Sequence, residues 1–350
     1  MERLNHPLDL AAWQRGQRAT LPLGRRARGA LASVRRRPPT VEVATRAGDA
    51  GPAGVLVVLD ALTATSRLAL LEPARMLPAE GTVVVGPPGL GAHLRQEDWR
   101  VTHEPAVSAL RRLLGDRTVV LSTGHYLELG SLAHDVAAEH GARFVTVQHG
   151  LLTPHAPPLA PRTTLLAWSE ADATFWTAGR DDVPATVVGS QLLWEAAEHP
   201  VADVDPRATP VFLGQLHGAE LPRRDLTEAA EGFCRSTGAT YRPHPSETDR
   251  RSRATHRRWE RSGIRVDRSA TPLRELAAPV VSVFSTGVLE AAAAGMPAWV
   301  HLPEPPRWVA EFWSRYRLAT WGEAPTASPE RPPVAPSHAV AEAVRGMMAG

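Results

Sequence analysis

The sequence contains no lysine: all 39 basic residues are arginine. Isoleucine and asparagine occur once each, as Ile264 and Asn5, and aromatics make up only 5% of the chain. Alanine, proline and glycine abound, which reads as the imprint of a GC-rich coding sequence. A nucleic-acid-binding surface is not indicated, because 37 acidic residues bring the formal charge back to +2. A single cysteine, Cys234, excludes a disulfide framework and argues against a structural zinc site, and it points to a reducing compartment. No run reaches the roughly 18 uninterrupted apolar residues of a membrane span. The nearest, Val55 to Leu71, is broken by Asp60, Thr63, Thr65, Ser66 and Arg67. An N-terminal cluster (Arg15, Arg18, Arg25, Arg26, Arg28 and Arg35 to Arg37) is not followed by the apolar core of a signal peptide. This lead reads as a solvated helix face or a frayed end, with peripheral contact to anionic lipid as the alternative. The expected location is cytoplasmic, at the inner face of the membrane if the lead docks there.

What is present is an alternation. Short apolar runs alternate with helix-like stretches across 350 residues that are 43% hydrophobic, the pattern of an α/β protein with parallel sheets. Strands are predicted at 55–59, 82–85, 118–121, 144–147, 164–167 and 186–188, with a helix at 127–139. The segment 199–210, with Pro200, Pro206 and Pro210 among acidic residues, reads as a linker. Strands then resume at 211–213, 239–241, 264–266, 280–283 and 298–300, with helices at 226–236, 286–294 and 337–348. The reading is a basic lead (1–40), an N-terminal α/β unit (41–200) and a C-terminal unit (201–350) that includes a Pro-rich stretch and the final helix. A cleft between two such units is a common ligand site.

Three segments carry candidate chemistry. In Ser285-Thr286-Gly287-Val288-Leu289-Glu290 a strand ends and a helix opens. Free N–H groups of a first helical turn attract anions, Gly287 lets a phosphate approach the backbone, and Glu290 is placed to accept from ribose hydroxyls. The alternative is a capping box that merely starts a helix. In Arg242-Pro243-His244-Pro245 two prolines hold an imidazole at a strand end, and Arg242 can form a forked pair with phosphate oxygens. The alternative is a rigid surface turn. In Gln148-His149-Gly150 an imidazole follows a strand, suited to proton transfer near neutrality, with Gly150 granting access to the backbone. The alternative is a strand-end His bonded to the main chain, and His125 is a weaker companion. Asp203 and Asp205 have the spacing of a metal-chelating pair but lie in the linker. No metal-ligand spacing, phosphate-binding Gly-rich loop or dinucleotide fingerprint stands out.

In their order, these segments resemble the GT-B glycosyltransferases of the bacterial cell-surface polymer group, the polysialyltransferase-like, capsule Kdo-transferase-like and teichoic-acid glycerophosphotransferase-like enzymes. The matching residues are Gln148-His149-Gly150, Ala167-Trp168-Ser169-Glu170, Val187-Val188-Gly189-Ser190, Arg242-Pro243-His244-Pro245, Ser285-Thr286 and Glu290-Ala291 with Gly295-Met296-Pro297. They span Phe144 to Val300. The resemblance implies two Rossmann-like domains facing across a cleft, with an activated donor on the C-terminal half and the acceptor on the N-terminal half. It implies that His244 and Ser285-Thr286 hold a donor phosphate, commonly of a cytidine nucleotide, and that His149 is the general base. The acid-rich base motif of several bacterial sialyltransferases is missing, and His125 or Glu128 would have to stand in for it.

The expected function is therefore metal-independent transfer of a sugar or related group from a nucleotide-activated donor to a hydroxyl of a surface glycan or polymer precursor. No cofactor and no nucleic-acid partner are expected. His149 is assigned to catalysis. Arg242, His244, Ser285, Thr286, Gly287 and Glu290 are assigned to the donor, and Gln148, Gly150 and His125 to the acceptor side. A sugar-nucleotide epimerase of the same fold and a non-catalytic nucleotide-binding scaffold are the alternatives.

Overall fold

A computed structural model describes residues 3–20, 39–46, 51–94, 98–201, 204–218, 220–269 and 271–349, with no account of the side chains of 18–20. The arginines of the lead between 21 and 38, and Asp203, lie outside these residues. Eight strands build the first sheet: β1 (Thr40–Thr45), β2 (Val55–Val58), β3 (Thr82–Gly86), β4 (Arg100–Pro105), β5 (Val119–Ser122), β6 (Arg143–Val147), β7 (Thr164–Ala167) and β8 (Ala185–Val187). Their order is β4-β1-β3-β2-β5-β6-β7-β8. The stretch from β3 to β8 is parallel, while β1 runs antiparallel to both β3 and β4. A second sheet, all parallel, has the order β10-β9-β11-β12, formed by β9 (Val211–Leu213), β10 (Thr240–Arg242), β11 (Val280–Ser282) and β12 (Ala298–Val300).

The described helices are α1 (Leu10–Thr20), α2 (Ala64–Met76), α3 (Ala106–Leu113), α4 (Glu128–His140), α5 (Glu170–Trp176), α6 (Gln191–Glu198), α7 (Arg223–Thr237), α8 (Arg250–Arg261), α9 (Thr286–Ala293), α10 (Arg307–Arg315) and α11 (Pro336–Ala349). Strand side chains alternate between faces, so each central strand feeds two layers. Val55 and Val57 of β2 join Leu70, Leu71 and Ala74 of α2 on one face, whereas Leu56 and Val58 join Leu110 of α3 and Val136 of α4 on the other. The interrupted apolar stretch 55–71 is thus a buried strand and a helix capped by Thr63, whose hydroxyl accepts from the Ser66 N–H. Among the described residues no helix is long and apolar enough to cross a membrane.

The molecule is two Rossmann-like α/β units facing across a cleft. Four segments of the chain depart from the sequence reading. Strands β1 and β4 were not predicted: β4 is largely exposed at the sheet edge and carries little apolar signal. The segment 264–266 contributes only an isolated bridge from Val266 to Tyr241. Helix α11, expected with the C-terminal unit, packs Val340, Ala341 and Val344 into the core of the first unit beside α2. The chain therefore returns across the linker, and a continuous 201–350 block does not describe how the helices pack.

Candidate functional site

Ligands of open α/β sheets bind outside the carboxyl ends of the strands, where the strand order reverses. In the second sheet that point lies between β9 and β11, and in the first between β2 and β5. A cavity of about 380 Å³ opens between the two units at these ends. Its first wall holds Gln148, His149 and Gly150 after β6, Tyr126 after β5, and Trp13 and Gln17 of α1. Its second wall holds Gln215 and His217 after β9, His244 after β10, and Ser285 and Thr286 after β11. The three sequence motifs thus meet in one space.

On the first wall, Gln148 is 1% exposed and works inward. Its Oε1 accepts the Trp168 N–H at 2.8 Å, its Nε2 donates to the Gly150 carbonyl at 3.0 Å, and its own carbonyl accepts from the Trp168 indole at 2.9 Å. These bonds set the turn that presents His149. The Nδ1 edge of that ring is enclosed and has no hydrogen-bond partner, while Nε2 lies 3.4 Å from the Tyr126 hydroxyl. Burial pushes the imidazole down to about 4, so it is neutral at physiological pH and able to accept a proton. Burial also pushes Tyr126 up to about 12, which keeps it a hydroxyl. A Cβ at Gly150 would meet only open space.

On the second wall, the Ser246 N–H donates to His244 Nδ1 at 3.1 Å. A neutral His244 must then carry its proton on Nε2, an assignment made from this bonding pattern. The His217 ring stacks on it, centroids 3.8 Å apart at 17°. Burial lowers both, His217 to about 4, and Glu247 opposes the shift in each. Gln215 Oε1 accepts from the Ser282 hydroxyl and the Phe284 N–H, both at 3.0 Å, which ties the end of β9 to the start of α9. Ser285 caps α9 by accepting the Gly287 N–H at 3.1 Å, leaving the Thr286 N–H at the helix start without an intrahelical acceptor.

Glu247 underlies this wall. It is 4% exposed, and it accepts from Tyr241 Oη at 2.9 Å, the Leu216 N–H at 3.0 Å and the His244 N–H at 3.3 Å, with His256 Nε2 at 2.9 Å. These bonds hold its carboxyl below the ordinary range despite burial. Gly214 makes room for the arrangement: a Cβ there would lie 2.3 Å from Tyr241 Oη and 2.6 Å from Glu247 Oε1.

Four expected site residues are placed differently. Arg242 pairs with Asp267 at 3.1 Å, donates to the Thr271 carbonyl and does not line the cavity; its fork is already occupied. The Gly287 N–H is taken by the cap, and a Cβ there would strike Leu213 at 2.6 Å, so packing explains this glycine. Glu290 is half-buried outside the cavity; burial raises its carboxyl, with Arg274 opposing. His125 is buried against His134, centroids 5.3 Å apart, and does not line the cleft. Conversely, Trp13, Tyr126, Gln215, His217 and Glu247 were missed. The signal for Gln215 and His217 was their position just after the predicted strand 211–213. Glu247 carried no local signal, because its partners converge from separate segments. Among the described residues no cluster of three or more His, Cys, Asp or Glu is arranged to hold a metal ion.

No protein-family model and no curated protein sequence matches the chain. Solved structures similar to it include a UDP-GlcNAc 2-epimerase from Methanocaldococcus jannaschii, at 12% identity over 85% of this chain and 99% of that one, with a TM-score of 0.46. A glycosyltransferase from Rickettsia africae is 12% identical over 85% of this chain and 93% of its own, with a TM-score of 0.45. MurG from Acinetobacter baumannii is 12% identical over 77% and 85% respectively, with a TM-score of 0.39. At these identities the likeness does not extend to chemistry, which rests on the cleft itself.

Proposed function

We propose that the protein transfers a sugar or related group from a nucleotide-activated donor to a hydroxyl of a surface glycan or polymer precursor, without a metal. The carrying observation is that one cavity has the neutral imidazole of His149 on one wall and a set of donors (His244, Ser285 and Thr286) on the other. The donor's phosphate sits on the second wall against His244 Nε2–H and the start of α9, where the helix dipole favours negative charge. The acceptor hydroxyl approaches from the first wall. Its oxygen forms the new bond to the transferred group as the bond from that group to the phosphate oxygen breaks. The acceptor proton passes to His149 Nε2, and the phosphate leaves with the electron pair. A bound phosphate anion opposite His149 raises that imidazole's basicity as charge develops. Donors aimed at the leaving oxygen supply the larger part of the barrier reduction.

The resemblance in the motif order favours a cytidine nucleotide and an acceptor of the capsule or teichoic-acid type. A cytoplasmic location, with the basic lead against anionic lipid, belongs to the same reading. The first experiment is a thermal-shift panel of CMP, CDP, UDP and GDP, since a ligand that binds the folded state raises its apparent stability. Transfer from the corresponding sugar nucleotides to a glycan panel comes next. His244→Ala is expected to lose roughly 10²- to 10³-fold in turnover. His149→Ala should lose transfer while keeping nucleotide affinity. Epimerisation of the donor without acceptor, or near-normal turnover in folded His244→Ala, overturns the reading.

A further inference from the structure

We propose that His217 joins His244 in a paired-imidazole clamp for a phosphoryl group of the donor, and that the pair takes up a proton when that group binds; the inference rests on the donor reading above. The two rings come from different loops, after β9 and after β10, yet they lie face to face at 3.8 Å. Their spacing is set by the backbone: Glu247 accepts the N–H of Leu216, one residue before His217, and the N–H of His244 itself. Tyr241 and His256 hold the carboxylate from the core side. Both residues are exposed at the cleft, and a chance meeting of exposed side chains would have no such common anchor.

Charge supplies the second argument. The chain has 39 arginines, and among the described residues none lines this cavity. Among the described residues, the titratable groups on its walls are His149, His155, His217, His244, Tyr126 and Glu220, with Glu247 buried beneath the second wall. Of these only the imidazoles can become cations. Among the described residues, a phosphate entering the cavity finds its countercharge in imidazole, and the pair beside the start of α9 is the place for it. Stacked rings at this distance repel a second proton, so the pair carries one charge between its two donors. Desolvation in the cleft lowers both imidazoles and the Glu247 charge opposes it, so an arriving anion adds to a charge that already favours the proton.

The test is calorimetric titration of the full chain at pH 7 with the tightest binder among CMP, CDP, UDP and GDP, in PIPES and in Tris, whose ionisation enthalpies differ. Wild type should take up a substantial fraction of one proton per nucleotide. His217→Asn, checked for an unchanged unfolding temperature, should bind at least about tenfold more weakly, the loss of one hydrogen bond to a charged group, and should take up less than half as many protons. A variant that merely disturbed the loop would lose affinity without changing the proton count. An equal proton count in wild type and His217→Asn removes His217 from the clamp and leaves the nucleotide reading standing. Failure of wild type to bind any of the four nucleotides overturns that reading and the clamp together.

Discussion

At the scale of single residues, three imidazoles follow strand ends, His125 after β5, His149 after β6 and His244 after β10. His149 and His244 were marked by their immediate neighbours along the chain, a glycine in one case and two prolines in the other. His125 carried the same kind of mark, a strand end rich in small residues, but its ring turned inward. It is 7% exposed, its Nδ1 has no partner, and burial, reinforced by the charge of His134, pushes it down to about 4. The unfolded chain, whose histidines titrate near 6.5, binds this proton first as the pH falls. The contribution of His125 is therefore intact above about pH 6.5 and is lost on the way down to about pH 4. It costs about 2 kcal/mol of stability between pH 7 and pH 5. His125→Gln should shrink the fall in urea midpoint between those two pH values. An identical fall in variant and wild type would show that this imidazole is not a source of the acid sensitivity.

At the scale of elements, what mattered was which loops the strands delivered side by side. Periodicity in 211–213, 239–241 and 280–283 was enough to predict β9, β10 and β11 as strands. Their spatial order, with β9 between the other two, was not legible, because parallel pairing is decided by which helices cover each face. That order brings Gln215 onto the start of α9 and Leu216 onto Glu247. Gly214 permits both. Gly214→Ala forces a Cβ into the Tyr241–Glu247 contact and should cost about 1–3 kcal/mol, as overpacked sites do. Nucleotide affinity should fall with it, while the loop at His149, on the other unit, keeps its geometry. Nucleotide titration and thermal unfolding check the pair of outcomes; unchanged affinity would show that the second wall does not need the Glu247 brace.

At the scale of the whole molecule, the two units are locked by a polar hub. The Tyr316 hydroxyl, just past α10, donates to Asp172 of α5 and accepts the Leu152 N–H at 2.8 Å. Asp172 is 1% exposed and also accepts from the Ser169 hydroxyl at 3.0 Å. Arg315 donates to the Leu152 carbonyl and lies 3.7 Å over the Phe175 ring. Beyond this hub, α6 rests Leu193 and Ala196 on the second core, and α11 crosses back to the first. Tyr316→Phe removes one of the donors to the buried Asp172 carboxylate, which keeps Ser169, and takes away the acceptor of the Leu152 N–H, at a cost of about 1–3 kcal/mol. Calorimetry should show the variant's single melting transition fall and broaden toward two as the units uncouple. A transition of unchanged position and width would mean that α6 and α11 hold the units together by themselves.

The sequence by itself determined the α/β character, the strands that form the middle of each sheet, and the three motifs that face the cleft. Each is a local property, written in the alternation of apolar runs or in the residues that end a strand. Only the tertiary structure decided that Arg242 is spent on Asp267, that Gly287 is a packing glycine, that His217 stands against His244, and that the last helix belongs with the first sheet. Those outcomes depend on contacts between segments far apart in the chain, where burial and competition for hydrogen-bond partners choose among side chains that look equally available along the sequence.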